Sequence, residues 1–429
     1  MIDCKRERLP NGLRVICVRM PSFHSAIATV YLRMGPRFET PATNGLSHFV
    51  EHVLFKGTEL YPDPESLSRE IDAHGAELNG ATMPEYTELA LGCHSRHYLE
   101  GLRLLVEVVL RPRFDKEHVE VERRVIREEM GQYRDVVGEG SSIDELSYDL
   151  MWPEQSHHFR CLGSEENVSR FTRDDLEAHY RRFLKASNLV ICVAGNFPER
   201  EVADLLGSAF GTLPDGRPTA CEPLEDGQGT PRHLFRPAPT QMAYLKLCHK
   251  ACSYHDPKVY PLVVISDILG GGVTSRLFSR LRERDGLVYD IGSTTTLFSD
   301  CGWVDVSTTT SRRKVVATIA AALEEIERLA DTGLDEDELQ IIKERVACNM
   351  EILEDSPSEV AEWLGVREIL LAPEKLGSPA EEAERLKQVT AEEIRAVAQE
   401  VFQPARRSLV VVGPCSWLQR RRIRGVLAR

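Results

Sequence analysis

Residues 45–58 read GLSHFVEHVLFKGT, and this stretch decides how the rest of the chain is interpreted. Its apolar residues recur at helical spacing, which predicts a largely buried helix over 46–55. His48 and His52 are four residues apart and therefore share one face of that helix, and Glu51 lies on the same side. Two histidines and a carboxylate are costly to bury without partners, and a single metal ion would satisfy all three.

The order of this motif is H-x-x-E-H, the inverse of the more common H-E-x-x-H zinc helix. Imidazole and carboxylate ligands suit zinc among the common metals. The alternative is a polar helix face with two hydrogen-bonded histidines, but Phe49, Val50 and other apolar neighbours argue against it. We expect His48 and His52 to bind one zinc ion and Glu51 to act as general base.

A catalytic zinc site needs a third protein ligand and a position open to water. A long helix is predicted from Asp115 to about residue 134, and it contains Glu122, Glu128 and Glu129. Glu122 and Glu129 are seven residues apart and share a face, whereas Glu128 points about a quarter turn away from Glu129. Spacing alone does not choose among these three glutamates.

The second half of the chain repeats the pattern of the first. A capped helix start and the end of a buried strand occur at Thr172 and Gly195, and again at Thr390 and Gly413, offset by the same 218 residues (390 − 172 and 413 − 195). Residues 67–79 also resemble residues 278–290. This repetition predicts two homologous domains of the α+β or α/β class, each a mixed β-sheet packed with α-helices. The domains would span 1–211 and 233–429, joined by a proline-, glycine- and acid-rich linker at 212–232.

The composition fits a soluble globular chain. The formal net charge of −14 over 429 residues argues against a nucleic-acid surface. The 11 cysteines form no tight framework, which argues against a disulfide scaffold. The chain shows neither an apolar leader after Met1 nor a run of about 18 apolar residues. We therefore expect a cytoplasmic protein without a membrane partner or a cleavable targeting sequence.

Two other segments could be binding sites, but a purely structural interpretation is favoured for each. The C-terminal stretch SWLQRRRIRGVLAR (416–429) could contact anionic partners, but a frayed and solvated tail is the favoured interpretation. The glycine run at 270–272 is not followed by G-K-[ST], so it is not a phosphate loop. We interpret it as a hinge at the end of a helix.

Taken together, these motifs resemble the pitrilysin/insulinase family of inverted zinc metallopeptidases. The resemblance is strongest to the short bacterial and mitochondrial-processing-peptidase branch. The matching segments are LPNGLRVI (9–16), GLSHFVEHVLFKGT (45–58), LNGATMPEYT (78–87) and ERRVIREEM (122–130). The resemblance implies that Glu129 is the third ligand of one zinc ion per chain, and that Glu122 orients a ligand from behind.

The resemblance also implies where a substrate would bind. An extended peptide would add to the strand at 77–82, beside Asn79, Gly80 and Ala81, with Gly80 standing where alanine is expected. From the residues alone, the segment with Arg282 and Tyr289 is an ordinary amphipathic helix followed by a strand. In the family this pair reaches across to the zinc site, where arginine fixes substrate carbonyls and tyrosine hydrogen-bonds the substrate or tetrahedral intermediate.

These observations predict a zinc-dependent endopeptidase that hydrolyses extended peptides or unstructured segments. The resemblance implies that the two domains face each other around a peptide-binding chamber, and that the chain forms a homodimer or pairs with a related subunit. The alternative is a non-catalytic zinc-binding partner subunit or scaffold of a processing complex. The sequence does not distinguish the processing of a precursor from general peptide degradation.

Overall fold

The structure is a computed structural model that describes residues 3–137, 142–156, 159–371 and 377–428. The chain forms two compact units, and each unit takes segments from both halves of the sequence. Unit 1 comprises Met1–Met130, Phe159–Glu222 and Ile352–Ser378, and unit 2 comprises Gly131–His158, Pro223–Glu351 and Pro379–Arg429. Each unit has its own β-sheet and its own apolar core.

Helices make up much of both units. In chain order, the α-helices of the described residues are α1 (Leu46–Leu54), α2 (Pro64–Ala73), α3 (Tyr98–Leu110), α4 (Lys116–Val137), α5 (Ile143–Met151), α6 (Glu165–Arg170), α7 (Arg173–Phe183), α8 (Glu199–Phe210), α9 (Val259–Gly270), α10 (Val315–Thr332), α11 (Glu336–Leu353), α12 (Pro357–Leu370), α13 (Pro379–Gln388), α14 (Ala391–Val401) and α15 (Trp417–Leu427). None of them combines the length and the apolar character that a membrane crossing requires.

Unit 1 contains a six-stranded mixed sheet. Its strands are β1 (Asp3–Arg8), β2 (Arg14–Arg19), β3 (Ser25–Leu32), β4 (Glu77–Thr82), β5 (Thr87–His94) and β6 (Leu189–Gly195). They lie in the order β1-β2-β6-β3-β5-β4, with β2 and β6 parallel and all other neighbours antiparallel. Among the described strands β4 pairs with β5 alone, so one side of β4 is a free sheet edge.

Unit 2 contains a five-stranded sheet with the same connectivity. Its strands are β7 (Arg232–Arg236), β8 (Met242–Ala251), β9 (Val288–Leu297), β10 (Gly302–Ser311) and β11 (Arg407–Val412). They lie in the order β7-β11-β8-β10-β9, with β7 and β11 parallel. Strands β2 to β6 of the first sheet therefore correspond in chain order to β7 to β11 of the second.

Local details confirm the duplication. Thr172 and Thr390 are the N-caps of α7 and α14, and each forms a capping box with the residue three positions later. Gly195 and Gly413 end the two buried strands with φ angles of 119° and 120°, a left-handed conformation that glycine adopts without strain. The fold class predicted from the sequence is thus confirmed as two sheets packed with helices.

The units differ from the expected ranges 1–211 and 233–429 in two segments, Gly131–His158 and Ile352–Ser378, which contain α5 and α12. Helix α12, from the second half of the sequence, packs on β3 and β6 of the first sheet, whereas α5, from the first half, packs on β11 and β8 of the second. The Tyr31 hydroxyl donates a hydrogen bond to the Ala361 carbonyl at 3.2 Å. A Cβ at Gly365 would lie 2.0 Å from the Tyr31 ring, so glycine permits this close packing. Within the expected linker, residues 214–230 form neither helix nor strand.

Candidate metal centre

Helix α1 is almost wholly buried, as its apolar pattern predicts. Phe49, Val50, Val53 and Leu54 are each 0% exposed. The N-cap is Gly45, which has a φ of 103° and no capping side chain of its own. The first turn of this helix therefore needs a hydrogen-bond acceptor from elsewhere in the chain.

Glu39 supplies that acceptor. Its buried carboxylate accepts hydrogen bonds from the backbone N–H groups of Gly45, at 2.9 Å, and Ser47, at 2.7 Å. The side-chain amide of Asn44 donates a third, at 3.0 Å. Burial raises the pKa of Glu39, and these hydrogen bonds oppose that rise. Sequence reasoning missed Glu39, because nothing in the pattern of 36–44 shows that a side chain there caps α1.

Three side chains that could hold a metal ion converge beside α1. The Nε2 atoms of His48 and His52 lie 3.8 and 3.6 Å from Oε2 of Glu129, which α4 contributes. The two imidazole rings are 4.6 Å apart, centroid to centroid. Among the described residues, these three form the one group of His, Cys, Asp or Glu side chains with metal-ligand spacing, their ligand atoms lying within 4.8 Å of one another.

The donor set fits a zinc ion. The separations from Glu129 are too long for hydrogen bonds, but they are close to the ~3.3 Å between neighbouring ligands of a tetrahedral ion with bonds of about 2.0–2.1 Å. Burial, with a smaller contribution from the charge of His52, lowers the pKa of His48 to about 3. The His48 imidazole is therefore neutral at physiological pH, as a metal ligand must be.

Glu122 lies behind His52. One carboxylate oxygen is 3.0 Å from Nδ1 of His52 and the other is 3.0 Å from Nζ of Lys56. Burial acts to raise the pKa of Glu122, but the hydrogen bonds to His52 and Lys56 outweigh it and lower the pKa. An ionised Glu122 accepts a hydrogen bond from Nδ1–H of His52. Nε2 of His52, which faces Glu129, is then unprotonated, and its lone pair is free to bind a metal ion.

Glu51 lies beside the cluster, against strand β4. Its Oε2 accepts a hydrogen bond from the Thr82 hydroxyl at 3.1 Å, and burial raises its pKa. A Cβ built on Gly80 would lie 3.1 Å from Oε1 of Glu51 and 2.8 Å from the Phe55 ring. Gly80 and Thr82 thus face Glu51, and the strand alternation puts Asn79 and Ala81 on the other face of β4.

Three further residues predicted for the site are Glu128, Arg282 and Tyr289. Glu128 is exposed on α4 and takes no part in it. Arg282 and Tyr289 belong to unit 2, where the Arg282 guanidinium stacks over the Tyr289 ring at 5.1 Å and over Phe278 at 4.5 Å. The expected amphipathic helix around Arg282 is a π-helical turn, Phe278–Arg284. Tyr289, on β9, is 80% exposed.

Both halves of the chain match domains of the M16 peptidases. The family "Insulinase (Peptidase family M16)" matches residues 14–151, and "Peptidase M16 inactive domain" matches residues 170–346. The second match agrees with the sequence, since the three histidines after residue 232 (His233, His249 and His255) form no H-x-x-E-H motif.

Individual relatives span almost the whole chain. An uncharacterized zinc protease of Streptomyces coelicolor is 31% identical, covering 99% of this chain and 92% of the relative. The beta subunit of the mitochondrial-processing peptidase of Blastocladiella emersonii is 28% identical, covering 96% and 89%. Among solved structures, a Helicobacter pylori protease has a TM-score of 0.87 at 19% identity, covering 96% of this chain and 100% of that one. A "peptidase M16 inactive domain" from Pseudomonas fluorescens also reaches 0.87, at 18% identity and 96% and 98% coverage.

Proposed function

Since this chain belongs to the insulinase family of peptidases, we propose that it is a zinc-dependent endopeptidase that hydrolyses extended peptides or unstructured segments. The observation that carries the proposal is the convergence of His48, His52 and Glu129 next to a buried glutamate, Glu51. A metal centre alone would need only the three ligands. The additional carboxylate provides the base that hydrolysis of a peptide bond requires.

His48, His52 and Glu129 would hold the zinc ion, leaving one position open. When bound, the ion would supply Lewis-acid activation of a water molecule and of the scissile carbonyl. Glu122 would keep His52 in the tautomer that presents Nε2, and Lys56 would keep Glu122 ionised. The buried setting of α1 would fix both imidazoles, because the helix has little freedom to move within a packed core.

Glu51 would transfer the protons. It would accept a proton from the attacking water and then donate it to the leaving amine. Its raised pKa suits both steps, since a carboxylate of ordinary pKa is a weaker base at neutral pH. Thr82 would hold one oxygen of Glu51 in place while the other oxygen receives the proton.

The free edge of β4 would bind the substrate backbone. An extended peptide can add to a sheet edge as another strand, through hydrogen bonds that do not depend on its side chains. The base Glu51 lies against Gly80 and Thr82 of that strand, so a peptide at this edge would lie close to the catalytic groups. Such binding would favour unfolded segments, because a folded substrate cannot supply a free strand.

The alternative function is that of a non-catalytic zinc-binding partner subunit or scaffold. It is favoured by the match of residues 170–346 to a domain described as inactive. The first half nevertheless contains His48, His52, Glu129 and the buried Glu51, so the endopeptidase is our first proposal. The expected homodimer remains a prediction, which sedimentation of the purified protein would test.

The proposal is tested by measuring metal content and peptide cleavage on the same preparation. We expect about one zinc per chain, cleavage of a quenched mixed-peptide library, loss of cleavage with a chelator and recovery when zinc is restored. Glu129→Gln should lower the zinc content, whereas Glu128→Gln, one residue away and exposed, should not. Zinc without cleavage would favour the partner subunit, and absence of both would reject the metal centre.

A further inference from the structure

The C-terminal stretch is a packed helix and not the frayed tail that the sequence suggests. Helix α15 begins at the N-cap Ser416, which forms a capping box with Gln419. Ile423 and Leu427 are buried in the core of unit 2. The positions of the remaining side chains of α15 are therefore set by the fold.

The opposite side of α15 exposes large apolar residues next to arginines. Trp417 is 69% and Leu418 58% exposed. Arg421 and Arg422, one helical turn later, are exposed on the same side. The two adjacent apolar side chains form one exposed patch beside cations, and a contiguous apolar patch with a polar rim is typical of an interaction surface.

A neighbouring turn adds two further arginines. The side chain of Gln419 donates a hydrogen bond to the backbone carbonyl of Arg312, which holds the turn after β10 beside the start of α15. Arg312 and Arg313 are exposed. Within the described part of the chain, none of the four arginines of this surface forms an ion pair with a carboxylate. We call the surface formed by these six side chains the α15 face: Trp417, Leu418, Arg421, Arg422, Arg312 and Arg313.

The duplicated half shows that the fold does not require this surface. Helix α8 follows β6 in unit 1 as α15 follows β11 in unit 2, and it likewise buries one side, through Val202, Leu206 and Phe210. Its exposed residues are charged residues of both signs and small residues, namely Arg200, Glu201, Ala203, Asp204 and Ser208. The same structural task is thus performed without exposed tryptophan, leucine or an arginine cluster.

We propose, against the expectation of no membrane partner, that the α15 face binds the surface of an anionic lipid bilayer. The arginines would contact lipid phosphates, at a gain of about 1 kcal/mol each near such a surface, while Trp417 and Leu418 would enter the interfacial layer. The positive charge that complements an anionic bilayer is confined to the α15 face. The chain as a whole has a formal net charge of −14, which an anionic surface repels. A lipid surface explains Leu418 as well as the arginines, because a nucleic acid offers no apolar layer to receive a leucine.

The test is co-sedimentation of the purified full-length protein with vesicles, and it does not depend on peptidase activity. We expect binding to phosphatidylglycerol vesicles that falls with salt, and no binding to phosphatidylcholine vesicles. Arg421→Glu with Arg422→Glu should weaken binding at least about tenfold, and Trp417→Ala with Leu418→Ala should weaken it while retaining the charge. The matched control is Arg103→Glu with Arg200→Glu, which makes the same charge change at two exposed arginines of unit 1.

Each outcome decides the proposal. Loss of binding in both α15 pairs but not in the control supports the lipid surface. An equal loss in the control pair, or no binding of the parent protein to phosphatidylglycerol, overturns it. Binding to single-stranded RNA without binding to vesicles also overturns it and would instead assign the α15 face to a nucleic acid.

Discussion

Nδ1 of His52 lies 3.0 Å from Oε2 of Glu122, on the side of the ring away from Glu129. This contact makes Glu122 a positioning residue. We predict that Glu122→Gln lowers zinc affinity by about 10- to 100-fold, because the amide cannot select the His52 tautomer as the carboxylate does. Competition with a chromophoric chelator measures this. Glu120→Gln, on the exposed side of α4, should have no effect, and an unchanged affinity in Glu122→Gln would remove Glu122 from the site.

The side chain of Thr82 should affect catalysis only through its hydrogen bond to Glu51. Thr82→Val keeps the shape of the side chain and removes the hydrogen bond to Oε2 of Glu51. We expect kcat to fall about tenfold, the equivalent of roughly 1.4 kcal/mol, with KM and zinc content unchanged. Thr82→Ser restores the hydroxyl and should restore kcat. A change in KM without a change in kcat would instead mean that Thr82 contacts the substrate.

Tyr289 is the most exposed large residue of β9, at 80%, so its hydroxyl is available to a ligand. If it hydrogen-bonds the substrate or intermediate, as the family resemblance implies, Tyr289→Phe should lower kcat about 100-fold. The zinc content should remain the same, because Tyr289 belongs to unit 2. Tyr244→Phe, at another exposed tyrosine of unit 2, is the control. Equal kinetics of both variants would exclude Tyr289 from catalysis.

His249 should make unit 2 sensitive to acid. Its Nε2 atom is buried, and no group of the described residues hydrogen-bonds it. Burial, assisted by the charge of Arg407, lowers the pKa of His249 to about 3. Between pH of about 6.5 and 3 the unfolded chain therefore binds one more proton at this residue than the folded chain. The free energy of unfolding should fall by about 1.4 kcal/mol per pH unit as the pH is lowered through this range.

The variant His249→Leu should remove that contribution. The slope of the free energy of unfolding against pH should then decrease by about 1.4 kcal/mol per pH unit, the equivalent of one proton. Urea denaturation at a series of pH values measures the slope. His97→Gln, at an exposed histidine of unit 1, should leave it as it is. An undiminished slope in His249→Leu would assign the acid sensitivity to other buried groups, such as His179.

The elements that the sequence predicts well are those with a strong local signal. Helix α1 and the repeated unit of α7 and β6 follow from apolar periodicity, caps and terminal glycines. Their positions along the chain agree with the structure to within a few residues. The exchange of α5 and α12 could not be predicted, because an amphipathic pattern shows that a helix has a buried face but not which sheet it packs on.

At the metal centre, too, the sequence does not show which side chains contact one another across different elements. The spacing of residues does not show which of Glu122, Glu128 and Glu129 is the third metal ligand, because that depends on how α4 lies against α1. In the structure Glu122 meets Nδ1 of His52, and Glu129 meets Nε2 of the same ring. Thr82 gave no sequence signal for its contact with Glu51, because the two residues are 31 positions apart. Glu39 is only six residues before Gly45, but no capping pattern shows that its side chain turns back onto α1.

The central claim is that Glu51 is the base of a zinc peptidase, and Glu51→Gln tests it most directly. Zinc content and cleavage of a peptide library are measured on the same preparation of this variant and of the parent protein. We predict the same zinc content of about one per chain, and cleavage slower by about 100- to 10,000-fold. Cleavage at the parental rate with zinc retained would contradict the account.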